Sequence, residues 1–274
     1  MTVLWIDGAL LREADARVSP FDHGLLTGDG VFETMKILEG RPFAARRHLE
    51  RLARSTAGML LPCPDPAVVR AAIDDVVAAN SIADGRVRVT VTSGPGPLGS
   101  DRAGIDTTVI VAAGRLPAWP PTADVAVAPW PRNERGALAG VKSVSYGENV
   151  VALAHARERG AGEALFANLA GDLCEGTSTN VFVGGRGQLV TPPLSAGCLA
   201  GVTRELVMEV VDVVEAAVPM ESLATAEEAF LTSSTRDVQP IRSVDGRLLP
   251  QCPGPLTEAA GAAFAALVAR EIDP

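Results

Sequence analysis

Lys142 and Glu175 are the residues whose types and setting could do chemistry together. Lys142 opens the run KSVSYGENVVALAHARERGAGEALFANLAGDLCEGTSTNVF, which ends at Phe182. The lysine stands in a turn-rich stretch between Gly140 and Gly147. Glu175 follows one expected helix and one expected strand later, in what reads as a glycine-punctuated turn. Further on come Gly201-Val202-Thr203-Arg204 and Thr232-Ser233-Ser234-Thr235, both rich in small and hydroxyl residues.

A lysine amine attacks aldehydes once burial or a nearby cation lowers its pKa enough to free the lone pair. The freed amine can then carry a proton to and from a substrate carbon. A carboxylate facing a pyridine nitrogen keeps that nitrogen protonated and makes the ring an electron sink. The unpaired N–H groups of Val202 and Thr203, at the start of an expected helix, form an anion site with the Thr203 hydroxyl and the helix dipole. Ser233, Ser234 and Thr235 end an expected strand and add hydroxyls and N–H groups. Arg51, three residues after His48 on an expected helix, offers a planar fork suited to phosphate. An amine, a carboxylate and anion-cradling loops are the parts that hold a phosphorylated pyridine aldehyde. Taken one by one, each residue also has a plain reading. Lys142 reads as a solvated lysine and Glu175 as a turn residue paired to a surface arginine. Arg51 reads as a surface arginine among Arg46, Arg47 and Arg54, Thr203 as a helix N-cap, and Ser233–Thr235 as a polar turn.

Other chemistries find less support. The three histidines, at 23, 48 and 155, form no metal-ligand pair, and the chain has no GxSxG elbow. GPGPLG at 94–99 lacks the lysine and hydroxyl of a phosphate-binding P-loop. A net charge of −9 and 4% aromatic residues disfavour a nucleic-acid partner. Four cysteines at 63, 174, 198 and 252 have no metal spacing and read as free thiols of a cytoplasmic protein. No apolar run reaches 18 residues without charge, and MTVLWIDGALL lacks a basic leader, so membrane spanning and secretion are not expected.

The elements that must position these residues follow from periodicity. VLWIDGALL predicts a hairpin around Asp7-Gly8, and VFETMKILEG a strand ending at Glu39-Gly40. Residues 46–59 predict a helix with Leu49, Leu52, Ala53 and Thr56 on one face, and 66–79 a proline-started helix. RVRVTVTSG and TTVIVAAG predict two strands. Together these give an α+β domain over residues 1–118. Pro117, Pro120, Pro121, Pro129 and Pro131 mark a linker region, and residues 119–274 form a larger mixed α/β domain. Its expected elements are strand 123–128, helix 147–159, strands 163–167, 180–183 and 187–190, and helix 201–215. ESLATAEEAF reads as a helix, 229–232 as a strand and 257–271 as a helix. No glycine fingerprint follows a strand, which disfavours a Rossmann fold.

Several stretches taken together resemble the class IV (fold type IV) pyridoxal-phosphate enzymes. They are FDHGLLTGDGVFET (21–34), HLERL (48–52), the Lys142 segment, DLCEGTSTNVF (172–182), TPPLSAGCLAGVTRE (191–205) and AFLTSSTRDVQPIRSVDG (229–246). The family includes branched-chain and D-amino-acid aminotransferases, (R)-selective amine transaminases and aminodeoxychorismate lyases. The resemblance covers nearly the whole chain and implies a two-domain, D-amino-acid-aminotransferase-like fold. It implies that Lys142 is the Schiff-base lysine, that Glu175 is the acid at the pyridine nitrogen and that Arg51 is the phosphate arginine. It also implies that Val202 and Thr203 form the backbone phosphate cradle, with Ser233 and Ser234 beside it. Thr27, Arg88, Tyr146, Ser234 and Thr235 fall where substrate would be met. A homodimer is implied as well.

Within the family the signals are mixed. Ser93 stands where D-amino-acid enzymes carry an arginine. Arg88 resembles an arginine of branched-chain enzymes, but Thr27 stands where those have tyrosine. GDGVFET is closer to the D-amino-acid enzymes and the lyases. The expected reaction is amino-group transfer between an amino acid and a 2-oxo acid such as 2-oxoglutarate or pyruvate. A D-amino acid or (R)-amine donor is favoured, with branched-chain donors next. The alternative is 4-amino-4-deoxychorismate lyase, giving 4-aminobenzoate and pyruvate.

Overall fold

The computed structural model describes residues 2–102, 104–116 and 118–274, so Pro117 of the expected linker lies outside the described residues. The chain forms two compact units. The first takes Met1–Pro117, Val141–Tyr146 and Glu271–Pro274; the second takes Ala118–Gly140 and Gly147–Arg270. The expected split near residue 118 therefore leaves out two exchanges, one of which carries the lysine.

The first unit runs β1 (Val3–Ile6), β2 (Ala9–Arg12), α1 (His23–Leu26), β3 (Gly30–Leu38), β4 (Arg41–Pro42), α2 (Ala45–Gly58), α3 (Pro66–Ala79), β5 (Gly85–Thr92) and β6 (Thr108–Gly114). The β1–β2 hairpin turns on Asp7 and Gly8, both at positive φ, as a tight two-residue turn requires. The six strands form one antiparallel sheet in the order β2-β1-β6-β5-β3-β4. β5 alternates strictly: Val87, Val89 and Val91 are buried, while Arg86 and Arg88 face out. The valines pack with Val31, Met35 and Ile37 of β3 and with Val69, Ile73 and Val76 of α3. Each such fully buried side chain stabilises the fold by about 1.5–3 kcal/mol. α3 starts on Pro66, with Asp65 accepting from the Ala67 N–H at 2.8 Å.

α2 turns inward a wider face than the one expected, which held Leu49, Leu52, Ala53 and Thr56. Its buried residues are Ala45, His48, Arg51, Leu52, Ser55 and Thr56, while Leu49 and Ala53 are half-buried. Apolar periodicity alone could not place His48 and Arg51 inside, because their burial depends on an acid supplied by β3.

The second unit runs β7 (Ala123–Val127), α4 (Gly147–Glu158), β8 (Glu163–Ala167), β9 (Leu173–Gly176), β10 (Asn180–Gly185), β11 (Gln188–Thr191), α5 (Val202–Val210), β12 (Val213–Glu215), β13 (Glu228–Ser233), β14 (Asp237–Val244), β15 (Arg247–Leu248) and α6 (Pro255–Arg270). Its sheet has the order β12-β11-β10-β13-β14-β7-β8-β9, with β15 on β14. The β11/β12, β14/β7 and β7/β8 pairs are parallel and the rest antiparallel, so the sheet is mixed.

Three sequence expectations are corrected here. Glu175 lies within β9, opposite Phe166 of β8, and not in a turn. The helix expected over 201–215 stops at Val210; Val211 is extended, and the β-branched run after it forms β12 beside β11. ESLATAEEAF is not a helix. A short 3-10 turn over Met220–Ala224 gives way to β13, whose Ala229, Phe230 and Leu231 are buried as a central strand demands. Among the described residues, no helix is long and apolar enough to cross a membrane.

Candidate active site

The candidate residues fall into two sets. Thr27, Arg51, Arg88, Lys142 and Tyr146 belong to the first unit; Glu175, Val202, Thr203, Ser233, Ser234 and Thr235 belong to the second.

Lys142 is fixed through its backbone. The Phe32 N–H donates to the Lys142 carbonyl at 2.9 Å, and the Val144 N–H donates to the Gly30 carbonyl at 2.9 Å. Ser143 pairs with Val31, so the lysine segment lies along β3 as an added edge. The Lys142 N–H reaches Ser55 Oγ of α2 at 3.3 Å. Its Nζ lies 4.5 Å from the centre of the Phe32 ring. The Arg88 guanidinium stacks on the same ring at 3.7 Å, and Tyr146 meets it edge-on at 5.2 Å. Lys142, Arg88 and Tyr146 thus gather on one aromatic side chain, and a cation over such a ring gains about 0.5–2 kcal/mol. Lys142 is half-buried, which sets aside its reading as a merely solvated lysine. Thr27 is exposed at the end of α1, and its hydroxyl donates to the His23 carbonyl at 2.9 Å.

Arg51 is 4% exposed and so is not a surface arginine. Its Nε donates to Glu33 Oε1 and its Nη2 to Glu33 Oε2, each at 2.7 Å. His48 Nδ1 stands 2.7 Å from Glu33 Oε2. Glu33 is fully buried. Burial alone would raise its pKa, but the Arg51 cation and the bonds from Arg51 and His48 outweigh that and hold its carboxyl well below the usual range. Burial, the largest cause, lowers the His48 pKa, and Arg51 and Lys142 act in the same direction against Glu33. His48 is therefore neutral and donates its Nδ1–H to the carboxylate.

In the second unit, Glu175 Oε2 accepts from the Leu199 N–H at 2.9 Å, and Arg132 Nη2 lies 3.6 Å from Oε1. Arg132 is stacked on Phe166 at 4.3 Å and donates to Asn149 Oδ1 at 3.2 Å. Asn180 Nδ2 donates to the Leu199 carbonyl at 2.9 Å, so Leu199 is held from both sides. Gly201 follows. A Cβ there would overlap Asn180 Oδ1 and crowd Arg204 Cβ at 3.3 Å, so any side chain would have to displace Asn180. Gly201 is the N-cap of α5, with no side-chain cap bond, and Val202 and Thr203 are buried just beyond it. Thr203 is therefore not the cap of its own helix. A buried helix start without a side-chain cap leaves its first N–H groups available to an anion. Ser233, Ser234 and Thr235 are half-buried in the β13–β14 turn, where Ser233 Oγ accepts from the Arg236 N–H at 3.2 Å. Cys174 and Cys198 are buried beside this set. Burial pushes the Cys198 thiol up to about 12 and that of Cys174 higher, so neither supplies a thiolate near neutral pH.

Sequence reasoning missed Phe32, Glu33, Arg132, Glu163, Asn180 and Arg236. Glu33 and Glu163 did leave a signal, since each is a lone carboxylate within a strand otherwise rich in apolar residues. The donor types on the two units fit pyridoxal phosphate. They comprise an amine on the first unit, and a carboxylate, an open helix start and hydroxyls on the second.

Residues 30–244 match the family described as amino-transferase class IV. A Methanocaldococcus jannaschii protein, provisionally named a branched-chain-amino-acid aminotransferase, is 33% identical over 90% of this chain and 89% of its own. The D-alanine aminotransferase of Bacillus licheniformis is 30% identical over 94% of each chain. The aminodeoxychorismate lyase of Bacillus subtilis is 30% identical over 89% of this chain and 87% of its own. Among solved structures, the Escherichia coli branched-chain amino acid aminotransferase superposes with a TM-score of 0.91 at 28% identity, covering 97% of this chain and 94% of that one. A Mycobacterium tuberculosis protein described as a hypothetical aminotransferase, in a pyridoxal-phosphate-bound form, gives 0.87 at 26% identity, covering 96% of this chain and 98% of that one.

Proposed function

The chain belongs to the class IV aminotransferases, and from that membership we propose that it moves an amino group between an amino acid or (R)-amine and a 2-oxo acid, using pyridoxal phosphate. When bound, pyridoxal phosphate supplies an electron sink for charge left on the substrate carbon. Lys142 would hold the cofactor through its amine and, once released, would carry a proton between Cα and the cofactor carbon. Glu175 holds a proton at the ring nitrogen. Val202, Thr203, Ser233, Ser234 and Arg51 take the phosphate. Arg88 and Tyr146, gathered with Lys142 on Phe32, orient the donor, with Thr27, Ser234 and Thr235 on its carboxylate. Residues reaching in from a second copy in a homodimer belong to the same reading.

The observation that supports this most is the Glu175–Leu199 bond. It ties the acid to the segment that ends, at Gly201, in the buried start of α5 without a side-chain cap. That pairing serves a ring nitrogen and a phosphate on one ligand. A D-amino acid or (R)-amine donor is favoured by GDGVFET and by the D-alanine aminotransferase relative.

The lyase reading has its own support in the lyase relative, which matches at similar identity. Both reactions begin with Cα deprotonation by Lys142, and the fate of the amino group separates them. The test is a panel of D-alanine, L-leucine and (R)-1-phenylethylamine with 2-oxoglutarate or pyruvate, beside aminodeoxychorismate. Transfer from D-alanine or the (R)-amine is expected. Pyruvate and 4-aminobenzoate, with no transfer from any amine, would replace the proposal by the lyase. Transfer confined to L-leucine would keep the transaminase and reject the donor preference.

A further inference from the structure

Glu163 accepts five hydrogen bonds within the second unit, and it lies outside the set that would touch a cofactor. It is fully buried at the start of β8. Its Oε1 accepts from the Thr177 N–H at 3.0 Å, from the Thr177 hydroxyl and from the Ala164 N–H at 3.2 Å. Its Oε2 accepts from Ser178 Oγ at 3.2 Å and from Arg236 Nη2 at 3.0 Å. Thr177 and Ser178 are the two residues just after β9, which carries Glu175. Arg236 closes the turn that carries Ser233, Ser234 and Thr235. One carboxylate therefore holds two loops far apart in sequence.

The surroundings allow it little freedom. A Cβ on Gly176 would overlap Thr179 Oγ1 and stand 3.3 Å from both Cγ and Cδ of Glu163, so the end of β9 packs closely on the acid. The Arg236 side chain is 4% exposed, stacks on Trp119 at 3.9 Å and donates to Gln239 Oε1 at 2.9 Å. On the other side, Asn149 Nδ2 donates to the Thr177 carbonyl at 2.6 Å, and Asn149 also accepts from Arg132, the cation beside Glu175. A continuous polar chain thus runs from Arg236 through Glu163, Thr177, Asn149 and Arg132 to Glu175.

We propose that Glu163 is a positioning residue that locks the Thr177–Ser178 loop and the Ser233–Arg236 turn into one geometry, so that the ring-nitrogen acid and the phosphate hydroxyls are presented together. The second clause rests on the cofactor reading above; the loop coupling does not. Glu163→Gln leaves the Arg236 charge without its partner, and Arg236→Lys replaces a planar fork that reaches both Glu163 and Gln239 with a single ammonium, so both loops should loosen in each variant.

The test compares Glu163→Gln and Arg236→Lys with the native chain. Amide hydrogen exchange is measured on the protein without added cofactor, and pyridoxal phosphate affinity by absorbance titration well below the melting temperature of each variant. Exchange should rise at least about tenfold in both loops in both variants, and cofactor Kd should rise at least about tenfold, or about 1.4 kcal/mol. Faster exchange in one loop alone would overturn the coupling. Coupled loosening with native cofactor affinity in both variants would overturn the positioning role and leave a structural pin. If the native chain takes up no pyridoxal phosphate, the cofactor reading fails, and the exchange data still decide the coupling. Should Glu163→Gln not fold, Arg236→Lys alone decides both points by the same criteria.

Discussion

Glu33 grips Arg51 along one edge of its guanidinium: Nε to Oε1 and Nη2 to Oε2, each at 2.7 Å, with both side chains almost wholly out of solvent. A buried pair of this geometry is stable only while both charges remain. Glu33→Gln should destabilise the fold by about 3–5 kcal/mol, because the Arg51 charge is left without its carboxylate. Denaturant unfolding at pH 7 gives the comparison; a loss below about 1 kcal/mol would mean that the pair contributes little.

The same cluster predicts acid sensitivity. The His48 pKa is lowered from 6.5 and that of Glu33 from 4.5. The unfolded chain therefore binds more protons than the folded one as pH falls below each of those values. Stability should be full above about pH 6.5, fall first as unfolded His48 titrates, and fall more steeply below about pH 4.5. Melting temperature from pH 3 to 8 measures this, and His48→Gln should remove the upper limb while keeping the lower. A flat profile in the native chain between pH 7 and 4 would reject the assignment.

Lys142→Ala should abolish both covalent cofactor attachment and turnover. The native protein should be yellow, with a band that shifts on adding an amino donor, and the variant should show neither. A colourless native protein that gains no band with added pyridoxal phosphate would overturn the cofactor reading.

Glu175→Gln should retain cofactor and slow Cα proton abstraction at least about tenfold, or about 1.4 kcal/mol. A neutral amide keeps the bond from Leu199 but holds a ring proton poorly. Single-turnover half-reactions read the step directly, and native rates would remove Glu175 from the chemistry.

Gly201→Ala tests the helix-start cradle. The added methyl must displace Asn180, which also holds Leu199, so cost to the fold of about 1–3 kcal/mol is expected. Cofactor Kd should rise at least about tenfold. Native affinity would show that α5 does not meet the phosphate.

The sequence made the strands of the first unit legible because their alternation is local: the Arg86–Val91 stretch announces its own buried face. Lys142, Glu175 and the start of α5 stood out because glycine and hydroxyl residues surround them. The buried face of α2 was read too narrowly because Arg51 and His48 are inside only by virtue of Glu33, which lies on another element. The segment after Val210 was misread for a related reason. Its valines suit helix or strand, and pairing with β11 decides. ESLATAEEAF has helix-forming residues, yet Glu228 is required to cap α6 through the Leu256 and Thr257 N–H groups, and its strand is central in the sheet. Tertiary partners, in each case, overrode local preference.

The lysine strip Val141–Tyr146 is built into the first unit while its flanking residues belong to the second, and the chain passes between units four times. This makes the protein poor material for splicing. A fragment cut after the first long stretch would leave the edge of β3 bare and lack Lys142. A fragment starting there would carry the lysine with no strand to register it. Chimaeras that exchange the first unit with that of a relative should therefore retain activity only when residues 141–146 travel with it. For breeding new variants, the exchangeable block is discontinuous, with Phe32 and Lys142 inherited together.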